Sequence, residues 1–373
     1  MGWLFVGLAF CGSCGLVLAG LKLEGFRARP VEALPSWPAI TVLKPLRGAE
    51  PGLEEALASF LGQDYPGAVQ VVFGVQDRAD PALSVVDSLR RAHPERDLVV
   101  VLDSRVHGPN GKVSNLVNMT PAARHGVLVL ADSDIAAPPD YLRRVVVALT
   151  EPGVGVVTCP YFGTASGGLW ARLAAMGISY HFLPNLALGV GLGLAQPCMG
   201  STIALRRETL ARIGGFEAFA GLLADDYAVG AAVRACGLRS VAAPVLVAHC
   251  CSERTLGELV AHELRWASTV RGIDPAGYLG SGVTHATALA VIANLLLPGA
   301  PAALAVLATA LAARLWLVGR VAKIAGTAPD GWWLTPVRDI LSLVVFVSSF
   351  FVRAVVWRGT RFRVDRRGAL TRV

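Results

Sequence analysis

The 373-residue sequence predicts an α/β domain with a mostly parallel sheet, carried between apolar segments of membrane-spanning length. Three observations carry that prediction. Short β-branched runs alternate with helical stretches through residues 39–280. Two of those runs deliver aspartate at their carboxyl ends, Asp77 and Asp132, which places both acids on one rim of a parallel sheet, where α/β folds bind ligands. Apolar stretches lie on both sides of the domain. Hydrophobic residues make up 54% of the chain and charged residues 16%, a composition removed from that of soluble globular proteins. The net charge is +7, with basic residues gathered beside apolar segments, which favours a membrane surface over nucleic acid.

Residues 1–23 read as a retained transmembrane anchor. Gly2 to Leu21 is almost wholly apolar, no basic residue precedes it, and Lys22, Arg27 and Arg29 follow at once. The positive-inside rule then puts the next segment in the cytoplasm. Residues 24–38 form a Pro-containing linker. Strands are expected at Ala39–Leu43, Val69–Val75, Leu98–Leu102, Val127–Ala131, Val154–Cys159, Ser201–Leu205 and Val245–Ala248. Helices are expected at Leu53–Leu61, Pro81–Ala92, Lys112–Met119, Pro139–Leu149, Arg206–Ile213, from Asp225 to about Cys236, and at Thr255–Val270. Leu169 to Leu194, with Gly189-x-Gly191-x-Gly193, reads as a flexible loop or interfacial segment and lacks the strand that a dinucleotide fingerprint needs. Residues 281–373 form a membrane region with about three apolar spans (Thr284–Leu297, Ala302–Val318, Ile340–Trp357) and a basic tail from Arg358 to Arg372. Three spans would carry that tail outside, whereas its charge predicts the inside. A re-entrant run, or a passage beginning at Trp332–Arg338, would reconcile the two. The seven cysteines are odd in number and form no recurring Cys-x-x-Cys units, so neither a disulfide framework nor a zinc ribbon is expected.

The chemistry concentrates in four features in chain order: Val75-Gln-Asp77, Asp132-Ser-Asp134, Asp225-Asp226 and His262-x-x-Arg265-Trp266. Paired carboxylates repel and invite a divalent cation, which can neutralise a diphosphate. Each feature has a plainer reading alone. Asp77 could cap a helix, Asp132-Ser-Asp134 could be a solvated turn, Asp225-Asp226 could complement a helix dipole, and His262, Arg265 and Trp266 could anchor one helical face at an interface. Their order between membrane segments is far more specific than any one of them.

With these motifs in place the chain resembles the family-2 and family-21 glycosyltransferases of the GT-A fold, the nucleotide-diphospho-sugar transferases. The ceramide glucosyltransferase-like group is similar at Leu43-Lys-Pro-Leu46, Gln63-Asp-Tyr-Pro66, Val75-Gln-Asp77-x-x-Asp80-Pro81, Gly108 to Leu116, Gly214-Gly215-Phe216 and Asp225-Asp226-Tyr227. Within that group the chain looks most like the hopanoid-biosynthesis-associated glycosyltransferases of bacteria, at Gly108 to Asn118, Ser133-Asp134-Ile135, Pro139 to Leu142 and His262 to Ala267. One departure stands out: His262 occupies the place of Gln or Arg.

The resemblance implies roles for residues. Asp77 would hold the uracil or ribose, Lys112 the diphosphate, and Asp132 the nucleotide sugar. Asp134, with Asp132, would bind Mn²⁺ or Mg²⁺. Asp226 would be the general base, and His262, Arg265 and Trp266 would close over the diphosphate and acceptor. The implied function is an inverting, metal-dependent transfer of a sugar, N-acetylglucosamine first, from a UDP-sugar to a hydroxyl of a membrane lipid, with a hopanoid polyol as preferred acceptor. Ceramide glucosylation from UDP-glucose is the alternative, followed by a polysaccharide synthase or a catalytically dead binding protein. The expected partners are the UDP-sugar, the lipid acceptor and the bilayer, with no nucleic acid. The expected location is the bacterial inner membrane, with the catalytic domain in the cytoplasm.

Overall fold

The computed structural model describes every residue except 29, 32, 353–354, 358–359, 365–369 and 373. The chain forms two compact units. One comprises Ala28–Tyr161 and Gln196–Cys250; the other comprises Met1–Arg27, Phe162–Ala195 and Cys251–Val373. The block expected at 39–280 is therefore divided, since residues 162–195 and 251–280 cluster with the terminal helices.

The first unit is α/β. In chain order it contains β1 (Ile40–Pro45), α1 (Leu53–Leu61), β2 (Val69–Val75), α2 (Ala82–Ala92), β3 (Asp97–Leu102), α3 (Gly111–Met119), β4 (Val127–Leu130), β5 (Ile135–Ala136), α4 (Tyr141–Thr150), β6 (Val154–Thr158), β7 (Ile203–Arg206), α5 (Arg207–Arg212), α6 (Asp225–Ala235), β8 (Arg239–Ala242) and β9 (Val247–Cys251). Seven strands make one sheet in the order β3-β2-β1-β4-β7-β6-β8. Neighbours from β3 to β4 are parallel, as are β6 and β8, while β7 runs antiparallel to both β4 and β6. The strands read as continuous apolar runs because both faces are covered. Val42, Val71, Phe73 and Val129 enter one core with Phe60, Val86 and Val145 from the helices. Leu43, Val72, Leu128 and Leu130 enter the other with Leu116, Phe216 and Val229. The period of two along each strand sorts these residues.

Two differences from expectation bear on the site. β1 runs through Lys44 and Pro45, which pair with Phe73 and Gly74 of β2. On the other side of β1, the register with β4 ends at Leu43 opposite Leu130. Proline is tolerated at that strand end because the missing N–H falls where the ladder stops. The short β5 and β8, unmarked by alternation, were not expected.

The second unit is mostly helical. Among the described residues, three of its helices are long and apolar enough to cross a membrane: Gly2–Phe26, Leu169–Gly191 and Pro301–Ala325. A fourth candidate is the pair Pro275–Thr284 and Ala286–Leu296, bent by 63°. Of the two expectations for Leu169 to Leu194, the flexible loop is replaced by helix, running through Leu169–Gly177, a π-turn at Ile178–Phe182 and Leu183–Gly191. Glycine misleads in such a stretch because it permits close packing of neighbours as readily as flexibility. Gly177 lies directly against the Arg338 guanidinium, where a side chain would collide. Pro184 has no N–H for the carbonyl of Tyr180 four residues earlier, and Arg314 Nη1 donates to that oxygen. The run expected to span from Ile340 to Trp357 instead forms a helix at Thr335–Ser349, of 15 residues, short of the roughly 20 that a span needs. The basic tail from Arg358 to Arg372 lies partly outside the described residues.

Candidate active site

The parallel strands β2, β3 and β4 end on the same edge of the sheet, and each is followed by an aspartate: Asp77, Asp103 and Asp132. Asp77 is exposed, and its Oδ1 accepts from the Ala79 amide at 2.9 Å. Asp132 leads the acid loop Asp132-Ser133-Asp134.

A buried lysine holds that loop from below. The Nζ of Lys44 donates to the carbonyl oxygens of Asp132 (2.6 Å) and Ile135 (3.3 Å) and sits 3.9 Å above the Phe60 ring. Burial pulls its ammonium down to about 7, against the opposing pull of Asp134 and Asp132. Sequence reasoning gave Lys44 no role. Its signal was a charged residue inside the apolar run Ile40-Thr-Val-Leu-Lys44.

Lys112 enters from the first turn of α3. Asn110 caps this helix, its side-chain oxygen accepting from the Val113 amide at 3.1 Å. The amide nitrogen of Asn110 donates to the Leu222 carbonyl (2.8 Å) and to Asp225 Oδ1 (3.2 Å). One wholly buried asparagine thereby sets the direction of α3 and ties it to the start of α6. Further along, Asn115 donates to the Gly74 carbonyl and Asn118 to the carbonyls of Asp103 and Arg105. Asn110, Ser114, Asn115 and Asn118 within Gly108–Asn118 thus each bond at least one backbone group, which fixes where Lys112 stands. Its Nζ lies 2.6 Å from Asp132 Oδ1 and 3.6 Å from Asp225 Oδ2. Burial alone would lower this ammonium's pKa, but Asp132, Asp225 and Asp226 together hold it above its usual range.

Asp225 and Asp226 open α6, where the helix dipole favours carboxylates. The structure gives them different surroundings. Asp225 is buried and engaged by Asn110 and Lys112. Asp226 is half-buried, and its carboxylate accepts from the amides of Gly200 (2.9 Å) and Tyr227 (2.7 Å). Burial and the neighbouring Asp225 push Asp226 up to about 6, despite Lys112. Gly200 was also missed from the sequence. A Cβ there would stand 2.8 Å from Asp132 Oδ2 and 3.0 Å from Lys112 Nζ, so any larger residue would displace these two groups.

Asp134 faces a different neighbour. β5 and β9 pair antiparallel with Ile135 opposite His249, and the Cys250 amide donates to the Asp134 carbonyl at 2.9 Å. This brings His249 Nδ1 to 3.5 Å from Asp134 Oδ1. That oxygen is buried and has no hydrogen-bond partner among the described residues. Such an orphaned carboxylate oxygen suits a hard divalent cation. Among the described residues no three His, Cys, Asp or Glu side chains are arranged to hold a metal unaided. The donor set therefore fits a cation that takes its remaining ligands from a bound substrate.

The α/β unit thus gathers Lys112, Asp132, Asp225, Asp226 and Gly200, with Asp134 beside His249. His262, Arg265 and Trp266 belong to the other unit, on the helix Leu256–Ile273. There His262 Nδ1 lies 2.7 Å from Glu253 Oε1, and its ring meets Trp266 at 4.4 Å and 70°.

The chain matches glycosyl transferase family 21 over residues 7–370. It belongs to that family. Ceramide glucosyltransferase 1 of Caenorhabditis elegans is 26% identical over 212 residues, covering 56% of this chain and 45% of that protein. Beta-monoglucosyldiacylglycerol synthase of Synechocystis sp. is 26% identical over 216 residues, covering 54% and 43%. The chain therefore spans less than half the length of these curated relatives. Among solved structures, mannosyltransferase PcManGT from Pyrobaculum calidifontis, determined with GDP-Man and Mn²⁺, aligns with 94% of this chain and 97% of its own at 21% identity and a TM-score of 0.51. The family 21 member described here has the GT-A type of fold, with a mixed, mostly parallel sheet.

Proposed function

We propose that this chain transfers a sugar from a UDP-sugar to a hydroxyl of a membrane lipid, with inversion and with a divalent cation. The observation that carries the reading is the acid cluster. Asp226 is half-open with its carboxyl pushed up to about 6, and Asp134 keeps a carboxylate oxygen without a hydrogen-bond partner among the described residues. Relatives named for ceramide and diacylglycerol products, together with the helices of membrane-spanning length, support a lipid acceptor.

In the proposed reaction Asp226 takes the proton of the acceptor hydroxyl. The alcohol oxygen attacks the anomeric carbon as the bond to UDP breaks, and UDP leaves with the bonding electrons, giving a β-linked product. Lys112, steered by Asn110, offers positive charge to the diphosphate. Asp134 and Asp132 would hold a divalent cation, whose charge offsets that of the leaving diphosphate; His249 is placed to join them. Asp77 holds the uracil or ribose, and Asp132 also contacts the sugar nucleotide. The resemblance assigns Arg265 and Trp266, with His262, to the diphosphate and acceptor, Arg by planar donors and Trp by stacking.

N-acetylglucosamine and a hopanoid polyol stand first as donor sugar and acceptor, on the stretches that resemble the hopanoid-associated group. Glucosylation of ceramide is the second reading, favoured by the Caenorhabditis elegans relative. The proposed location is the bacterial inner membrane, with the α/β unit in the cytoplasm. The test is a transfer assay on membranes expressing the chain. UDP-N-acetylglucosamine and UDP-glucose are each offered with a bacteriohopanepolyol or a ceramide, with and without Mn²⁺ or Mg²⁺, and product masses are read. An N-acetylhexosaminyl hopanoid is expected. A hexosyl ceramide moves the chain to the second reading, and metal-independent transfer removes the cation from the mechanism.

A further inference from the structure

The helix Thr335–Ser349 is turned inside out. From Trp332 to Phe351 every exposed residue is apolar. Val337, Ile340, Val344, Val347 and Phe351 recur at intervals of three and four and make one exposed stripe. The opposite face is buried and carries Arg338, Asp339, Ser342 and Ser349. A helix facing water shows the reverse arrangement, since exposing an apolar stripe and burying charge both cost free energy. The helices Gly2–Phe26 and Pro301–Ala325, which are long enough to cross a membrane, expose the same kind of surface, with Leu4, Phe10, Leu304 and Leu315 outward. The stripe continues that surface.

Length and depth set how it meets a bilayer. A helix of 15 residues rises about 22 Å, short of the roughly 30 Å of a hydrocarbon core. It stops at a definite place, where Arg271 donates to the carbonyls of Phe350 (3.5 Å) and Val352 (3.2 Å). Depth can be read along Gly2–Phe26, whose glycines touch the other helices. A Cβ at Gly2 would meet Leu297, one at Gly12 would meet Ala286, and one at Gly20 would meet Trp316 and Leu317. Near its start Thr335–Ser349 meets Arg314 through Asp339, within a turn of the level of Gly20. Towards its end Phe346 packs on Gly282 and His285, near the level of Gly12, and Ser349 bonds Tyr278. Gly12 and Gly20 are about 12 Å apart along their helix, so these contacts fall in the half of the membrane nearest Lys22.

The same contacts give direction. Glu24 pairs with Arg320, so Gly2–Phe26 and Pro301–Ala325 run the same way, and Ala286–Leu296 runs against them. After Ala325 the chain is therefore back on the side of Lys22 and Arg27.

We propose that Thr335–Ser349 lies in the leaflet on that side without crossing, its stripe from Val337 to Phe351 docked on phospholipid acyl chains. Trp332 and Trp333, both exposed at its start, suit the headgroup boundary. The basic tail from Arg358 to Arg372 then ends on the side of Lys22, Arg27 and Lys323, which the positive-inside rule makes the cytoplasm. The conflict between three spans and an inward tail disappears. This holds whatever sugar or lipid the chain uses.

Two measurements on the full-length chain test it. In the first, green fluorescent protein, which fluoresces when it stays in the cytoplasm, or alkaline phosphatase, which is active only after export, is joined to the C-terminus. Fluorescence without phosphatase activity is expected. Active phosphatase would mean that the helix crosses, and would overturn the proposal. In the second, a photoreactive p-benzoylphenylalanine replaces Val344 or Phe351, and the chain is irradiated in nanodiscs of phosphatidylethanolamine and phosphatidylglycerol. Intact-mass spectrometry should show an increase of one phospholipid per chain at either position. A covalent dimer would put a second copy of the chain on the stripe, and no adduct at all would leave the stripe in water; either result overturns the proposal. The change at Phe351 keeps an aromatic ring, so that variant serves if the one at Val344 fails to fold.

Discussion

Two regions of the molecule that bury charge are built on opposite principles. In the α/β unit, Asp132, Asp134, Asp225 and Asp226 face two ammonium groups, and one of these, Lys44, spends its protons on backbone carbonyls. Negative charge is left over, and one acid oxygen, Asp134 Oδ1, has no hydrogen-bond partner among the described residues. Among the helices of the other unit, Arg314 meets Asp339 at 2.9 Å, His181 meets the same carboxylate at 2.8 Å, and Arg338 meets Glu263 at 2.6 Å. Two guanidinium groups balance two carboxylates. Both regions carry the cost of removing ions from water. The second matches charge with charge within the protein, although Arg314 Nη2 and Arg338 Nε and Nη1 have no hydrogen-bond partner among the described residues, and the first leaves net negative charge to be offset by something that binds. Imbalance marks the place for chemistry, and balance marks the place where helices are tied together.

The comparison can be broken most severely at Asp226. Asp226→Asn should lower the transfer rate by about 10²- to 10⁴-fold, the usual worth of a general base, while the Kd for the UDP-sugar stays near that of the parent. Surviving transfer would remove Asp226 from the role. The same residue predicts the acid limb of the pH profile. Its carboxyl is raised to about 6, so the base form is lost as pH falls through about 6, and kcat should fall about tenfold per unit below it. A flat profile there would contradict the assignment.

The balanced region should fail differently. Arg314→Met takes the guanidinium from Asp339, 1% exposed, leaving His181 beside the buried carboxylate, and should cost about 3–5 kcal/mol of stability. Replacing both, Arg314→Met with Asp339→Leu, should recover much of that loss. Unfolding midpoints in one detergent would decide the matter. A double variant as damaged as the single one would show that the cluster does more than offset its own charges.

The finest test sits at Gly200. Gly200→Ala sets a methyl group against Asp132 and Lys112 and should reduce transfer by roughly 10- to 100-fold, since a displacement of about 1 Å at reacting groups costs that order. The unfolding midpoint should move little, because the surrounding apolar core is untouched. A variant with full activity would show that the spacing between the acid loop and α6 is slack.

Much of the α/β unit was legible in the sequence. A strand buried on both faces needs a continuous run of branched residues, and Val69–Val75 and Val127–Leu130 announce themselves by that rule alone. The acids at the strand ends were legible for the same reason, because the chain direction of parallel strands sends their carboxyl ends to one edge. In the helical unit the rule failed at Leu169–Gly191, where the glycines read as a flexible loop or interfacial segment and the loop reading gives way to helix. Close packing accommodates the glycines within a helix, and the Arg314 contact to the Tyr180 carbonyl accommodates Pro184. Ile340–Trp357 misled in the other direction, since apolar composition continues past the point where the helix ends at Ser349.

By itself the sequence determined the element types, the apolar segments and the order of the acidic motifs, because each depends on local periodicity and residue chemistry. Only the tertiary structure decided which charges meet. It separated buried Asp225 from half-open Asp226, placed Lys44 beneath the acid loop and brought His249 to Asp134. It also put Gly200 between the two acid pairs and gave His262 its carboxylate. The physical reason is range. Backbone propensity acts over a few residues, whereas Lys44 and Asp132 meet across 88 positions and Asn110 and Asp225 across 115. Those meetings exist only once the sheet and its cores have formed.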